Sequence, residues 1–419
     1  MKTIFTLLSL ALLMSCNGQV KKEEKKLTAQ PGVTVKTAIG NLAMPAPFAT
    51  KSTTNNSSMK DWPEGTGPKA PAGFTVTKFA TGFKNPRNTY IGPNGDIFVV
   101  ESGTKLSSDE ITILRDKDND GTYETREIFA QGLNKPYGVL ILNNYFYIGN
   151  TDGLYRYPYT VGQLKLEGKG QKIVELPAGG YNNHWTRNLI ANADGSKIYI
   201  TVGSGSNVGE NGMDNEKRRA GVLEVNPDGT GEKVYASGIR NPVGIDWNPV
   251  NKELWVAVNE RDGLGDDLVP DYITSVKPGG FYGWPYSYFG QNEDPRMKGQ
   301  GKELVAKALV PDVPVGSHTA SLGLAFYTGN SFPAKYKNGA FVGQHGSWNR
   351  ATLSGYKVLF VPFKDGKPGK PEDFLTGFVA SEDHSQVYGR PVDVTVMNDG
   401  SLLVNDDAGN TLWKVSANK

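Results

Sequence analysis

The chain has 419 residues, with 45 lysines and arginines against 43 aspartates and glutamates, four histidines and a formal net charge of +2. That balance excludes a nucleic acid held by bulk charge, which needs a basic excess. The single cysteine, Cys16, leaves no disulfide within the chain and no thiolate-held metal site.

In chain order, Met1-Lys2 gives a positive start, Ile4 to Met14 is an apolar run, and Ser15-Cys16 follows. This pattern predicts an export signal over residues 1–16, too short to stay as a membrane span. Leu13-Met14-Ser15-Cys16 resembles a bacterial lipobox, which implies a lipid-modified Cys16 and anchoring at the cell envelope, periplasm or outer membrane. Residues 17–69 mix the charge run Lys21 to Lys26 with Ser, Thr, Asn and Pro and show no sustained apolar period. They read as a disordered tether, because such a segment buries too little surface to offset its ordering entropy.

Residues 70–419 read as one all-β domain. The 51 glycines in 419 residues exceed the usual ~7 per cent. Short alternating runs dominate, among them Ile97 to Val100, Tyr145 to Ile148, Ile198 to Val202, Leu254 to Val258, Ala340 to Gly343 and Leu402 to Asn405. Each follows an equivalent approach, marked by Pro86, Pro136, Thr186, Pro242, Ser321 and Pro391, at intervals of 50, 50, 56, 79 and 70 residues. Six repeats of this size predict a six-bladed β-propeller with four-stranded antiparallel blades. The two long intervals read as insertions at 263–316 and 351–388.

The innermost strand of each blade starts at one mouth of the central channel, so residues just before these strands converge. The register gathers Lys84-Asn85, Asn134-Lys135, His184-Trp185, Arg240-Asn241, His318-Thr319 and Gly389-Arg390. Clustered cations in a nearly neutral chain point to a multiply charged anionic ligand. His184 is the candidate for proton transfer, because an unperturbed imidazole titrates at about 6.5. Asn183 stands beside it to fix the tautomer, His318 and His345 compete for the role, and His384 falls in a long insertion.

Four segments carry a family resemblance: Asn183 to Leu189 with Ile198 to Gly203; Gly238 to Pro242; Asn259 to Asp262 through Asp266-Asp267 to Gly279 to Pro285; and Gly343 to Arg350 with Gly389 to Val394. In their order and spacing the chain resembles the soluble pyrroloquinoline quinone (PQQ)-dependent sugar dehydrogenases, and most closely their L-sorbosone dehydrogenase-like branch. The resemblance implies oxidation of a sugar or sugar-derived aldehyde by hydride transfer to the quinone, with an unidentified electron acceptor. It implies His184 as general base and Arg240 and Asn241 at the quinone carbonyl. Asn183, His345, Trp348, Arg350 and Arg390 join Arg240 and Asn241 as cofactor-binding candidates, and calcium is implied at Glu260, Arg261 and Asp262. Arg261-Asp262 stands where the family usually has Gly-Pro, and Val392 where the glucose-type enzymes have a second arginine.

Asp116 to Gly121 with Glu127 satisfies the EF-hand spacing. Its strand-like flanks predict a hairpin loop instead of an EF-hand, with structural calcium in that loop left open. Two other functions compete: a calcium-dependent sugar lactonase on a similar propeller, which needs acidic ligands at the axis, and a non-catalytic sugar-binding lipoprotein.

Overall fold

Each repeat folds into an antiparallel sheet of four strands, and six such sheets form the blades of a β-propeller in a computed structural model. The structure describes residues 32–103, 108–381 and 385–418. The expected export signal with Cys16, residues 17–31 of the expected tether, and His384 lie outside the described residues.

The innermost strands are Pro86–Ile91, Val139–Leu142, Leu189–Ala191, Pro242–Trp247, Ser321–Phe326 and Pro391–Val396. Four begin on the predicted marker residue. Alternation buries one face of each sheet against the preceding blade and the other against the next, which yields six apolar cores, one per blade interface. Blade six is closed by the N-terminal strand Phe74–Thr81, which pairs with Thr411–Ala417 and so removes a free edge.

Two residues past each marker, the blades carry Asn88, Gly138, Asn188, Gly244, Gly323 and Asp393. The inner strands nearly touch there. A side chain at Gly244 would meet the backbone of Leu322 and Leu324 at 2.5 and 2.6 Å, and one at Gly138 would meet Leu189 N at 2.5 Å. Where the position is not glycine, the side chain bonds across the gap: Asn188 donates to Val243 O at 3.0 Å, and Asp393 accepts from Thr89 N at 3.1 Å.

Two expectations are corrected. The intervals read as insertions hold the outer strands of their own blades, Pro270–Ser275 and Val313–Ser317 in blade four, and Lys357–Val361 and Glu372–Leu375 in blade five. Within 17–69, residues 33–69 form an ordered strap rather than a disordered tether. A hairpin of Val33–Thr37 and Gly40–Met44 delivers Met44 to the core between blades three and four. Farther on, Ser58–Met59 pairs with Gln386–Val387, and Trp62 stacks on Tyr388 at 4.6 Å. A few spaced anchors hold it, a pattern with no period to reveal it in sequence.

The Asp116 to Glu124 stretch is the expected loop between Glu110–Arg115 and Thr125–Ala130. Asp116, Asp118, Asp120 and Glu124 bring ligand atoms within 4.8 Å of one another, whereas Glu127 lies on the strand.

Candidate active site at the channel mouth

One residue past the markers, Tyr137, Val243, Leu322 and Val392 meet Trp185 in an apolar plug on the axis. Blade one has Arg87 at this register, with its guanidinium 5.4 Å from the Trp185 ring centroid. The plug is the floor of the mouth. Arg87, not the exposed Lys84, is the cation blade one contributes.

His184 lies on this floor. Its Nδ1 is 2.9 Å from the Ser204 carbonyl and 2.9 Å from Ser204 Oγ. A carbonyl only accepts, so Nδ1 carries the proton and the Nε2 lone pair is left for a substrate. Ser204 therefore sets the tautomer. Asn183 was expected to do so but only approaches Nε2 with its amide at 3.4 Å. Ser204 is fixed in turn by donating to Ser206 O at 2.6 Å, and buried Glu216 accepts from Gly205 N at 2.7 Å and Ser206 Oγ at 2.5 Å. Burial and then the Arg240 guanidinium push the His184 imidazole down to about 3, so it is neutral at physiological pH. Arg187, fully buried, donates to the His184 carbonyl at 2.9 Å and pins the loop from below.

Arg240 spends its fork internally. It donates to Asn207 O and Oδ1, to Asn259 O and Oδ1, to Glu260 O at 2.7 Å and to Asp262 Oδ2 at 3.3 Å. It positions the 259–262 loop and lends His184 its charge, while its donors are taken. Asn241 presents Oδ1 without a partner in a buried position. A side chain at Gly203 would meet that oxygen at 2.3 Å and His184 Cβ at 2.5 Å, so Gly203 allows the two to pack together.

Asp262 is shared by Arg240 and His318. The two His318 nitrogens face Asp262 Oδ1 at 3.3 Å and Gly265 O at 2.9 Å. Both face acceptors, and its pKa is raised despite burial because Asp262 and Gly265 hold the cation. His318 is thus no base. Burial would raise Asp262, but His318 and Arg240 outweigh it and hold the carboxyl below its ordinary value.

On the other side of the mouth, His345 Nε2 lies 2.8 Å from Asp407 Oδ1, and Asp407 also pairs with Arg87. Burial and Arg390 push His345 down to about 4. Arg390 donates from Nε to His345 O and from Nη2 to Gly346 O, both at 2.9 Å, and keeps Nη1 without a protein partner among the described residues. Arg350 is held at the rim by Asp267 at 2.8 Å, and Trp348 is 47% exposed. The mouth thus gathers Arg87, Arg240, Arg390 and a His318 cation against the carboxylates of Asp262 and Asp407. Two more carboxyls, Asp406 beside Arg390 N and Asp271 beside Thr319, stand behind them and are raised by burial to about 6. The spare donors Arg390 Nη1 and Arg87 Nε at the mouth fit a planar polyanionic cofactor, and the partnerless Asn241 Oδ1 offers an acceptor for an N–H or O–H.

They do not fit calcium at Glu260, Arg261 and Asp262. The Glu260 carbonyl is bonded to Arg240, the Asp262 carbonyl to Asn207 Nδ2 at 3.0 Å, and the Asp262 carboxylate to two cationic groups. The Arg261 side chain turns away to Asp294 at 3.0 Å. Only the Arg261 carbonyl lacks a donor among the described residues, short of the six to eight oxygens calcium takes. Burial pushes Glu260 up to about 7, which weakens it further as an anionic ligand.

Residues 69–407 match the model of a domain described as a domain of unknown function, DUF7133. An uncharacterized protein of Borreliella burgdorferi is 31% identical over 367 residues, covering 83% of this chain and 90% of that protein. The aldose sugar dehydrogenase YliI of Escherichia coli is 29% identical over 260 residues, 61% of this chain but only 59% of its own length. Among solved structures, the holo form of the pyranose dehydrogenase PQQ domain from Coprinopsis cinerea superposes with a TM-score of 0.70 over 87% of this chain and 100% of that one. At 19% identity it shares the fold. By the match over residues 69–407 and by the Borreliella relative, the chain belongs to the DUF7133 family, built on a six-bladed propeller.

Proposed function

We propose that this protein is a quinoprotein dehydrogenase that oxidises a sugar or a sugar-derived aldehyde such as sorbosone. The observation that carries this reading is a neutral imidazole whose Nδ1 is held by Ser204, so that Nε2 faces a mouth where Arg87 and Arg390 keep spare donors. The sugar dehydrogenases among its relatives support the same chemistry. PQQ, when bound, supplies a two-electron acceptor for the hydride leaving the substrate carbon. His184 Nε2 takes the hydroxyl proton while Ser204 holds Nδ1–H. Arg390 Nη1 and Arg87 would hold the cofactor carboxylates, and Asn183 and Asn241 would offer it their side-chain amides. Trp185 and its neighbours exclude water from below. No step needs calcium. The lactonase alternative is disfavoured, since both carboxylates at this mouth are already engaged by cations. Lipidation of Cys16 would place the enzyme at the envelope, to be read from the mass of the mature N-terminus.

The test is an absorbance titration of the purified protein with PQQ, followed by dye reduction with aldoses and sorbosone. Saturable binding with sugar-dependent reduction is expected. No binding, or lactone hydrolysis without PQQ, overturns the reading.

A further inference from the structure

The aromatic side chains of the described residues are buried or half-buried with two exceptions. Among the described residues, only Tyr181, at 58%, and Trp348, at 47%, are exposed aromatics. Both stand on the loops that carry the mouth histidines, three residues before His184 and three after His345.

Neither loop is slack. The Tyr181 backbone packs against Gly205, Asn183 N donates to Gly205 O at 3.0 Å, and Asn182 is tied to Arg219 at 2.7 Å and Thr151 at 2.9 Å. Trp348 O accepts from Asn55 N of the strap at 2.8 Å. The Asn349 side chain bridges Gly263 N at 3.0 Å and Thr53 O at 3.1 Å, which sets Trp348 beside the Asp262 turn. Rings held out in water on braced backbone lose little freedom when they bind.

A protein partner asks for a contiguous apolar patch, and no other large exposed apolar residue lies on either loop. The loop neighbours of the two rings include the amides Asn182, Asn183 and Asn349, and Arg350 is paired with Asp267. A single aromatic face among amides suits a pyranose ring, which is apolar on its C–H face and polar at its edge.

We infer that Tyr181 and Trp348 are outer sugar platforms, and that the substrate is a neutral saccharide of two or more units whose reducing end reaches His184. This rests on the dehydrogenase reading for the chemistry, but not for the binding.

The experiment compares glucose, maltose, maltotriose and cellotriose as substrates of the PQQ-loaded protein, and as ligands of the cofactor-free protein by calorimetry. Wild type should favour trisaccharides over glucose by about tenfold in kcat/KM, mostly through KM. Trp348→Ala should remove most of that preference, Tyr181→Ala part of it, Trp348→Phe should restore it, and Ile128→Ala on a distant blade should leave it intact. Equal treatment of all chain lengths overturns the platform while leaving the dehydrogenase standing. Loss of PQQ affinity in Trp348→Ala as large as the loss of trisaccharide affinity also overturns it, by assigning the ring to the cofactor. Trisaccharide binding that depends on Trp348 without turnover of any sugar supports the platform and removes the dehydrogenase.

Discussion

The two sides of the mouth hold the same kinds of residue in different pairings. Around His184, the carboxylate Asp262 belongs to Arg240 and His318, and the base is oriented by the neutral carbonyl of Ser204. Around His345, the carboxylate is bonded to the imidazole itself, and Arg87 shares it. Partner, not residue type, separates a base ready for substrate from an imidazole built into an ion-pair network.

The sharpest way to break this comparison is to remove each imidazole. His184→Ala should lower kcat by about a thousandfold while PQQ still binds, the loss expected for a general base. His345→Ala should act mainly on cofactor affinity, read by the absorbance titration. Equal kcat losses would erase the distinction.

Next, removing a carboxylate strands two cations. Asp262→Asn leaves Arg240 and His318 facing each other and should cost about 3–5 kcal/mol in denaturant unfolding, as for other broken buried pairs. The same variant should lower the pKa of His318, measurable by NMR titration.

Gly203→Ala probes geometry without altering charge. The added methyl falls on Asn241 Oδ1 and His184 Cβ, so kcat should fall by roughly ten- to a hundredfold, as misplacement of a catalytic group does. Gly389→Ala is its counterpart, because a methyl there lies 2.1 Å from Asp406 Oδ2, away from the base.

The pH predictions are gentler. His184 must be neutral to accept a proton, and its folded value of about 3 places the acid limb of kcat/KM well below 6.5. A limb near 6.5 would mean that burial and Arg240 do not act on it. Away from the mouth, burial pushes Asp393 up to about 7. The native state keeps a proton there that the unfolded chain releases near 3.8, so this group's stabilisation is present at low pH and lost as pH rises toward 7. Asp393→Asn should flatten the Tm profile over that range.

Much of the fold was legible because a propeller repeats. The markers Pro86, Pro242, Ser321 and Pro391 open inner strands as expected, and the ring register collects His184, Arg240, Asn241, His318 and Arg390 at one mouth. The same register hid Arg87 behind Lys84, because apolar residues occupy its position in most blades. Asn207, Glu216 and Asp407 were missed because each reaches the site from a segment outside the register. The calcium reading at Glu260 to Asp262 assumed free carbonyls, and which groups bond a carbonyl is invisible in sequence.

The amino-acid sequence thus determined, through the period of its apolar alternation and its turn residues, how many blades form and which residues stand at their inner ends. These are local properties, written within each repeat. Only the tertiary structure decided which cation meets which carboxylate, that Ser204 rather than Asn183 orients the base, and that residues 33–69 are a strap across the rim. Those outcomes depend on contacts between blades and on bonds made by residues far apart in the chain, so no single repeat contains them.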